Sequence, residues 1–389
     1  MNANTFLVGV LVPFLTSVLL VFLIHPIIDG IAKKYGLVDN PNTRKLQKTP
    51  VPVMGGIAVF WGIVIGMGVT SMFFDSFALF TCIMVIMVML YVGCIDDLHG
   101  LSPQVRLLSE VLVVLFIVRM DHVSMNDFQG IFGIGMLPSW AALILSCVAG
   151  AGIINSINMI DGVNGLSTGF CILACLVLGC FFLTSFDGTM TVLAAVTAGS
   201  LVPFFLHNVF GKSSKMFIGD GGTMMMGIIM TVFCMHLISH RSIVAYNYPN
   251  VSMVSLCLSV LSVPIFDTLR VMTGRIMKGI SPFHPDKSHL HHLFIEIGFS
   301  HLGTTCMVLS AECFNLLCWG ITAKLDASAT VQFVVVCFVG IMTTTGFYYI
   351  VRRLNKDRIF YKILHRMAIA SNIERGPLFN KMQRLMDKL

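Results

Sequence analysis

The sequence predicts an all-α, polytopic bundle of membrane-spanning helices, and three observations carry that expectation. Of 389 residues, 56% are hydrophobic and 11% charged, whereas a water-soluble domain usually carries about 25% charged residues. Uncharged stretches close to the roughly 20 residues that cross a bilayer recur along most of the chain. Lys and Arg are concentrated in alternate connections, the pattern of a chain that keeps its basic loops on the inner side. The 12 cysteines lie mostly in apolar segments without a Cys-x-x-Cys pair, so neither disulfides nor zinc are expected. Nothing in the pattern suggests a nucleic-acid partner.

About 11 spans are expected, centred near Leu15, Trp61, Val85, Val114, Leu145, Val177, Ala195, Ile229, Leu258, Ser310 and Val335. The first apolar stretch, Asn2 to Ile28, has no basic residue before it and outruns a signal-peptide core, so it is expected to remain as a helix. The fourth span is short and contains Glu110. The seventh and ninth contain Pro203 and Pro264, which a bundle tolerates when neighbours satisfy the freed backbone groups. With the N-terminus outside, Lys33, Lys34, Arg44, Lys45, Lys48, Arg106, Lys212, Lys215, Arg270, Arg275, Lys278, Lys287 and all ten basic residues after Val351 fall inside. Only Arg119, Arg241 and Lys324 are left outside. Two parts follow: a bundle over 1–351 and a basic cytoplasmic tail over 352–389, where Ile359, Phe360, Ile363 and Met367 suit an amphipathic helix on an anionic leaflet.

Polar residues collect in the expected inner connections. The first reads Asn40-Pro-Asn-Thr-Arg-Lys-Leu-Gln-Lys48-Thr-Pro-Val-Pro-Val-Met-Gly-Gly56, and a glycine pair opening a helix offers amides to an anion. Arg44 and Lys45 suit positive-inside topology and phosphate contact equally; Lys48, beside the turn, is the better phosphate candidate. The second begins Ile95-Asp96-Asp97-Leu98-His99, two carboxylates at a helix C-terminus, where the dipole disfavours them and a cation or basic partner is called for. In the third, Asn155, Asn158 and Asp161 recur at i, i+3 and share a face if helical, before a glycine-rich turn with Asn164. The fourth runs from Asn208 through Lys212, Lys215 and Phe217 to Asp220, a lone carboxylate among glycines and a suitable oxygen ligand for magnesium. The fifth passes from Asp267 and Arg270 through Arg275, Lys278 and Asp286 to His289, His291 and His292; beside Arg and Lys, these histidines read as phosphate contacts rather than transition-metal ligands. Aspartates with Lys, Arg and His at one membrane depth are what phosphoryl transfer requires: a metal to neutralise a diphosphate and cations to stabilise the developing charge.

The motifs Lys48-Thr-Pro…Met-Gly-Gly, Asp96-Asp97, Asn155-x-x-Asn158-x-x-Asp161-Gly, Phe217-Ile-Gly-Asp220 and His289-Leu-His-His stand in one order between about Lys33 and His292. In this the chain resembles the polyprenyl-phosphate N-acetylhexosamine-1-phosphate transferases. The resemblance implies attack of undecaprenyl phosphate on the β-phosphorus of a UDP-N-acetylhexosamine, releasing UMP, as the first membrane step of an envelope polysaccharide. It implies magnesium, with manganese as an alternative ion. By motif position, Asp220 looks like the metal ligand, and Asp96, Asp97, Asp161 and Lys48 look catalytic. Asn158, Asn164, Asn208, Phe217, Arg106, Arg275, His289, His291 and His292 look like substrate contacts. The segment Ser281 to His292 is similar to that of enzymes using UDP-N-acetylhexosamine, which favours UDP-GlcNAc. Lys287 stands where an arginine is usual and Asn164 where a carboxylate is common; both departures bear on sugar and base contacts more than on the reaction.

Two rival readings follow from the same residues. Glu110, Asp267 and Glu312 could serve an ion- or proton-coupled transporter, although no internal repeat is present. Gly219-Asp220 superficially suggests an intramembrane aspartyl protease, which would leave the basic loops unexplained. The sequence leaves the oligomeric state open.

Overall fold

A computed structural model describes residues 7–41, 49–71, 77–284, 286–354, 358–372 and 376–389. The helices, in chain order, are α1 (Val12–Lys34), α2 (Gly55–Ser71), α3 (Phe77–His99), α4 (Pro103–Met120), α5 (Ser139–Met159), α6 (Leu166–Thr184), α7 (Gly188–Phe210), α8 (Gly219–Ile238), α9 (Ile243–Asn247), α10 (Met253–Val260), α11 (Ser262–Met277), α12 (Leu290–Ile297), α13 (His301–Lys324), α14 (Ala329–Ile341), α15 (Phe347–Arg353), α16 (Ile359–Ala370) and α17 (Pro377–Met386). Strands among the described residues form two short antiparallel pairs, β1 (Val38–Asp39) with β2 (Val51–Pro52), and β3 (Asp127–Ile131) with β4 (Ile134–Met136). This is an all-α, multi-pass membrane protein. Each expected span centre falls on a helix. Among the described residues, eight helical segments are long and apolar enough to cross a bilayer, or nine if the bent pair α10–α11 is one span. The other two centres fall on α2, whose apolar stretch is shorter, and on α4, which carries Arg106, Glu110 and Arg119.

The central element is α8. Its spanning stretch is 94% buried, against 22% for α1 and for α13, so α8 is an axis surrounded by protein while the others face lipid. Close approach explains how it fits. A Cβ on Gly93 of α3 would lie 2.4 Å from Gly221 Cα, and one on Gly227 would lie 2.6 Å from Ile154 Cα of α5. Small residues let helix backbones meet where no difference in hydrophobicity drives association.

The chain bends by 74° between α10 and α11. The break, at Leu261, exposes a new helix N-terminus inside the bundle, and buried Glu312 of α13 accepts the Ser262 and Val263 amides at 3.0 and 2.8 Å. A carboxylate is favoured there by both hydrogen bonding and the dipole. Pro264 sits in the first turn after the break, where a missing N–H costs little.

The β1–β2 pair ties the α1–α2 connection to the start of α8. Phe217 N donates to Pro52 O at 2.7 Å, while Gly55 N and Gly56 N donate to the carbonyls of Phe217 and Ile218 at 3.0 and 2.9 Å. These glycine amides are therefore consumed by the backbone. The expectation that the Gly-Gly helix start is free to hold an anion is corrected: its donors knit two loops together. Beyond the bundle, α16 buries Leu364 and Ala368 with α12 but leaves Ile359, Phe360, Ile363 and Met367 exposed as a second apolar face.

Candidate active site

Two cavities, of about 470 and about 400 Å³, lie where the connections α3–α4, α5–α6, α7–α8 and α11–α12 meet. Gly162, Asp220 and His292 border both. The larger is lined by Asp97, Asp161, Asn164, Asn208 and Phe217, with Lys215 beside them. The smaller is lined by Asp96, Arg106, Asn158, Arg275, His289 and His291. Every candidate residue among the described ones thus borders one cavity or both. Lys48, with Arg44 and Lys45, lies outside the described residues.

The adjacent carboxylates of α3 diverge. Asp96 accepts the Leu101 amide at 2.6 Å and pairs with Arg106 at 3.2 Å. Asp97 turns to the start of α8, accepting the amides of Asp220 and Gly221 at 3.0 and 3.2 Å. Sequence reasoning asks for a cation beside this pair. Asp96 has one, but Asp97 finds a helix N-terminus instead, whose amides serve the same electrostatic need. Asp97 thereby fixes the backbone that carries Asp220.

Arg106 is a hub. Its Nη2 donates to the side-chain oxygens of Asn155 and Asn158, each at 3.0 Å, and its Nε lies 3.5 Å from buried Glu110. Asn155 also donates to Glu110. Asn158 passes the chain onward, with Nδ2 at 2.7 Å from both Asp220 Oδ1 and Thr223 Oγ1. Asn155 and Asn158 share a face of α5, whereas Asp161 lies beyond the helix end in the following turn.

Asp161 Oδ1 accepts from Ser167 Oγ at 2.5 Å. Enclosure by protein lifts the Asp161 carboxyl to about 6; the Ser167 hydrogen bond opposes the rise and the Asp220 charge adds to it. The residue keeps an outer edge exposed to the cavity, so water still screens that charge. Asn208 is buried and largely engaged, accepting from Gly165 N at 2.7 Å and donating to Met216 O at 2.8 Å. Asn164 is held through its backbone by His301 and Thr305, which leaves its side chain on the cavity wall.

On the α11–α12 side, Arg275 grips Asp286 through Nε and Nη2 at 3.1 and 3.0 Å and donates to Pro282 O at 2.6 Å. Partial burial opposes the Asp286 charge, but Arg275 and the Ser288 hydroxyl and amide outweigh it and hold the carboxyl well below its usual range. His289 Nδ1 lies 2.9 Å from Asp267 Oδ2, and Arg270 pairs with the other oxygen at 2.6 Å. His289 and His291 stack at 5.6 Å, and His291 and His292 meet at 4.3 Å. Burial and the neighbouring imidazoles lower both His291 and His292, the latter to about 4, with Lys287 adding to the effect there. At neutral pH these two rings are uncharged, so they act as hydrogen-bonding groups; fixed positive charge in the smaller cavity comes from the arginines. A Cβ on Gly162 would meet His291 Nε2 at 2.2 Å, which explains the glycine after Asp161.

Glu110, Thr223, Ser167 and Asp267 complete these networks. The i, i+3 spacing of Asp267 and Arg270 on an apolar helix was a usable sign. Nothing local marks Thr223, since its role depends on α5 crossing α8. Among the described residues no group of three or more His, Cys, Asp or Glu is arranged to hold a metal. The carboxylates lining the larger cavity are Asp39, Asp97, Asp161 and Asp220, each from a separate segment of the chain.

Residues 77–238 match the profile of glycosyl transferase family 4. A probable undecaprenyl-phosphate N-acetylglucosaminyl 1-phosphate transferase of Bacillus subtilis (strain 168) is 30% identical over 300 residues, covering 76% of this chain and 80% of the relative. The chain belongs to glycosyl transferase family 4. Undecaprenyl-phosphate alpha-N-acetylglucosaminyl 1-phosphate transferases of Escherichia coli (strain K12) and Salmonella typhi are 27% and 28% identical over 310 and 294 residues. These cover 77% and 74% of this chain and 79% and 76% of the relatives. For a glycosyl transferase family 4 chain the transporter reading falls away. Glu110, Asp267 and Glu312, which prompted it, are each engaged by Arg106, Arg270 or helix amides. The family match takes in Asp96 through Asp220, while the histidine segment lies beyond it.

Proposed function

We propose that this enzyme transfers N-acetylglucosamine 1-phosphate from UDP-GlcNAc to undecaprenyl phosphate, giving undecaprenyl-diphospho-GlcNAc and UMP, at the cytoplasmic face of a bacterial inner membrane. The observation that carries this reading is the junction of the two cavities at Asp220 and His292. One cavity offers carboxylates, amides and an aromatic ring, the other neutral imidazoles and two arginines, each paired with an aspartate. Two phosphorylated substrates approaching from different sides can place a nucleophile against a diphosphate there.

In this reading the nucleoside occupies the larger cavity, with Phe217 offering a ring face and Asn164 and Asn208 offering donors and acceptors to the base. The acceptor phosphate enters from the smaller cavity. One of its oxygens attacks the β-phosphorus, the bond from that phosphorus to the bridging oxygen breaks, and UMP leaves with the electron pair. A phosphate monoester has a second pKa of about 6, so it arrives largely ionised and needs no strong base. Asp96, tied to Arg106 and Leu101, is placed to orient the acceptor through the hub rather than to remove a proton. Arg275, paired with Asp286, borders the same side. Alignment and electrostatic stabilisation supply most of the acceleration in such transfers.

Magnesium, or manganese in its place, would be held by Asp220 with help from Asp161, since magnesium takes one or two carboxylates and completes its shell with water and phosphate. When bound, it would neutralise the diphosphate and the leaving UMP. Asp97 keeps Asp220 in position, and Asn158 takes one oxygen of Asp220 and leaves the other for the ion. The reading is tested by incubating the purified protein with undecaprenyl phosphate, magnesium and a panel of UDP-sugars while measuring UMP. Preferential turnover of UDP-GlcNAc is expected; equal turnover of all sugars would refute the sugar assignment.

A further inference from the structure

The C-terminal helix reaches back to the loop that forms one wall of the larger cavity. Asp387, just after α17, directs one carboxylate oxygen at that loop. Oδ1 accepts from the amides of Lys212, Ser213 and Ser214 at 2.9, 2.9 and 3.1 Å and from Ser214 Oγ at 3.2 Å. Three successive amides converging on one oxygen form an anion nest. Gly211 makes the turn into it possible, because a Cβ there would lie 2.5 Å from both His207 O and Ser214 Oγ.

The same turn is gripped from the other side by α1. Lys33, paired with Asp29 at 2.6 Å, donates to Ser213 O at 2.5 Å, and His25 Nε2 lies 2.9 Å from Ser214 O. Ser213 and Ser214 are therefore held between α1 and the C-terminus. The residues that follow, Lys215, Phe217 and Asp220, line the larger cavity. Asn208 precedes the turn and is bonded across it to Met216 O at 2.8 Å. A shift of the turn moves that wall.

We propose that Asp387 is a positioning residue for the nucleotide-sugar pocket: by holding the Lys212–Ser214 turn it sets Lys215 and Phe217 on the cavity wall. This rests on the reading that the larger cavity takes the UDP-sugar. Docking of α17 itself is secured separately, by buried Phe379 and Met386 and by the 5.2 Å ring contact of Phe379 with Phe210. The carboxylate thus acts on the loop, while the apolar residues hold the helix.

The test uses the full-length enzyme in detergent, with Asp387→Ala, Asp387→Asn and the exposed neighbour Lys388→Ala. In Asp387→Ala, KM for UDP-GlcNAc is expected to rise roughly fivefold, with kcat and the KM for undecaprenyl phosphate within about twofold of wild type. Asp387→Asn keeps an oxygen acceptor and should recover part of the loss; Lys388→Ala should match wild type. Amides of Lys212, Ser213 and Ser214 should exchange hydrogen faster in Asp387→Ala. An unchanged KM for UDP-GlcNAc despite accelerated exchange would overturn the proposal. So would equal losses for both substrates with a lowered melting temperature, which would mark a general structural role. Failure of the wild-type enzyme to release UMP would overturn the cavity assignment and this proposal together, and so is distinguishable from an Asp387→Ala enzyme that works like an active wild type.

Discussion

At Asp161 burial and one hydrogen bond act on the carboxyl in opposite directions. Enclosure lifts its carboxyl to about 6, and Ser167, itself buried, offsets part of that rise. If Asp161 acts ionised, activity climbs as pH rises through that value and falls below it. Removing the Ser167 hydroxyl withdraws support from the charged form, which raises the pKa further. Ser167→Ala is therefore expected to move the acid limb of the kcat/KM profile upward by about 1 pH unit, as for loss of a hydrogen bond to a charge. An acid limb that stays where it is in wild type would show that a different group governs it. His291 and His292 add no competing charge at neutral pH, because burial and neighbouring imidazoles lower both.

At the scale of elements, the site depends on how closely α3 and α8 approach. A methyl group on Gly93 would meet Gly221 Cα at 2.4 Å and Asp220 O at 2.5 Å, all backbone. No side chain can rotate away to make room, so the helices must separate. Gly93→Ala is expected to cost about 1–3 kcal/mol, the usual range for overpacking, and to lower turnover because the carbonyl displaced belongs to Asp220. Thermal unfolding in detergent with a parallel UMP assay checks this; a variant as stable and active as wild type would refute it. The elements also show what was legible in the sequence. Residues at or near helix ends such as Asp96, Asn158, Asp220 and His289 stood out because a charged or amide side chain among apolar helices needs a reason. The part taken by Asp97 did not, since capping α8 requires knowing that the end of α3 meets the start of α8. Glu312 was equally opaque: its helix gave no hint of a break 50 residues earlier in the chain that needed a carboxylate. The Gly55-Gly56 start misled, because a sequence shows free donors but not the carbonyls of Phe217 and Ile218 that take them.

For the whole molecule, the proposed orientation has both cavities, the basic connections and the C-terminal helices on the cytoplasmic side, and the β3–β4 hairpin opposite. Fusion reporters test this directly. Green fluorescent protein after Leu389 should fluoresce, and alkaline phosphatase inserted at Gly133 should be active; the reverse pattern would invert the topology. The central claim is that the cavity junction joins a nucleotide sugar to a lipid phosphate. It is tested most directly by UMP release from UDP-GlcNAc by purified enzyme in magnesium, with and without undecaprenyl phosphate, followed by addition of a chelator. UMP and undecaprenyl-diphospho-GlcNAc are expected in equal amounts only when the lipid is present, with arrest on chelation. UMP release without the lipid, or turnover that persists after the divalent ions are removed, would contradict it.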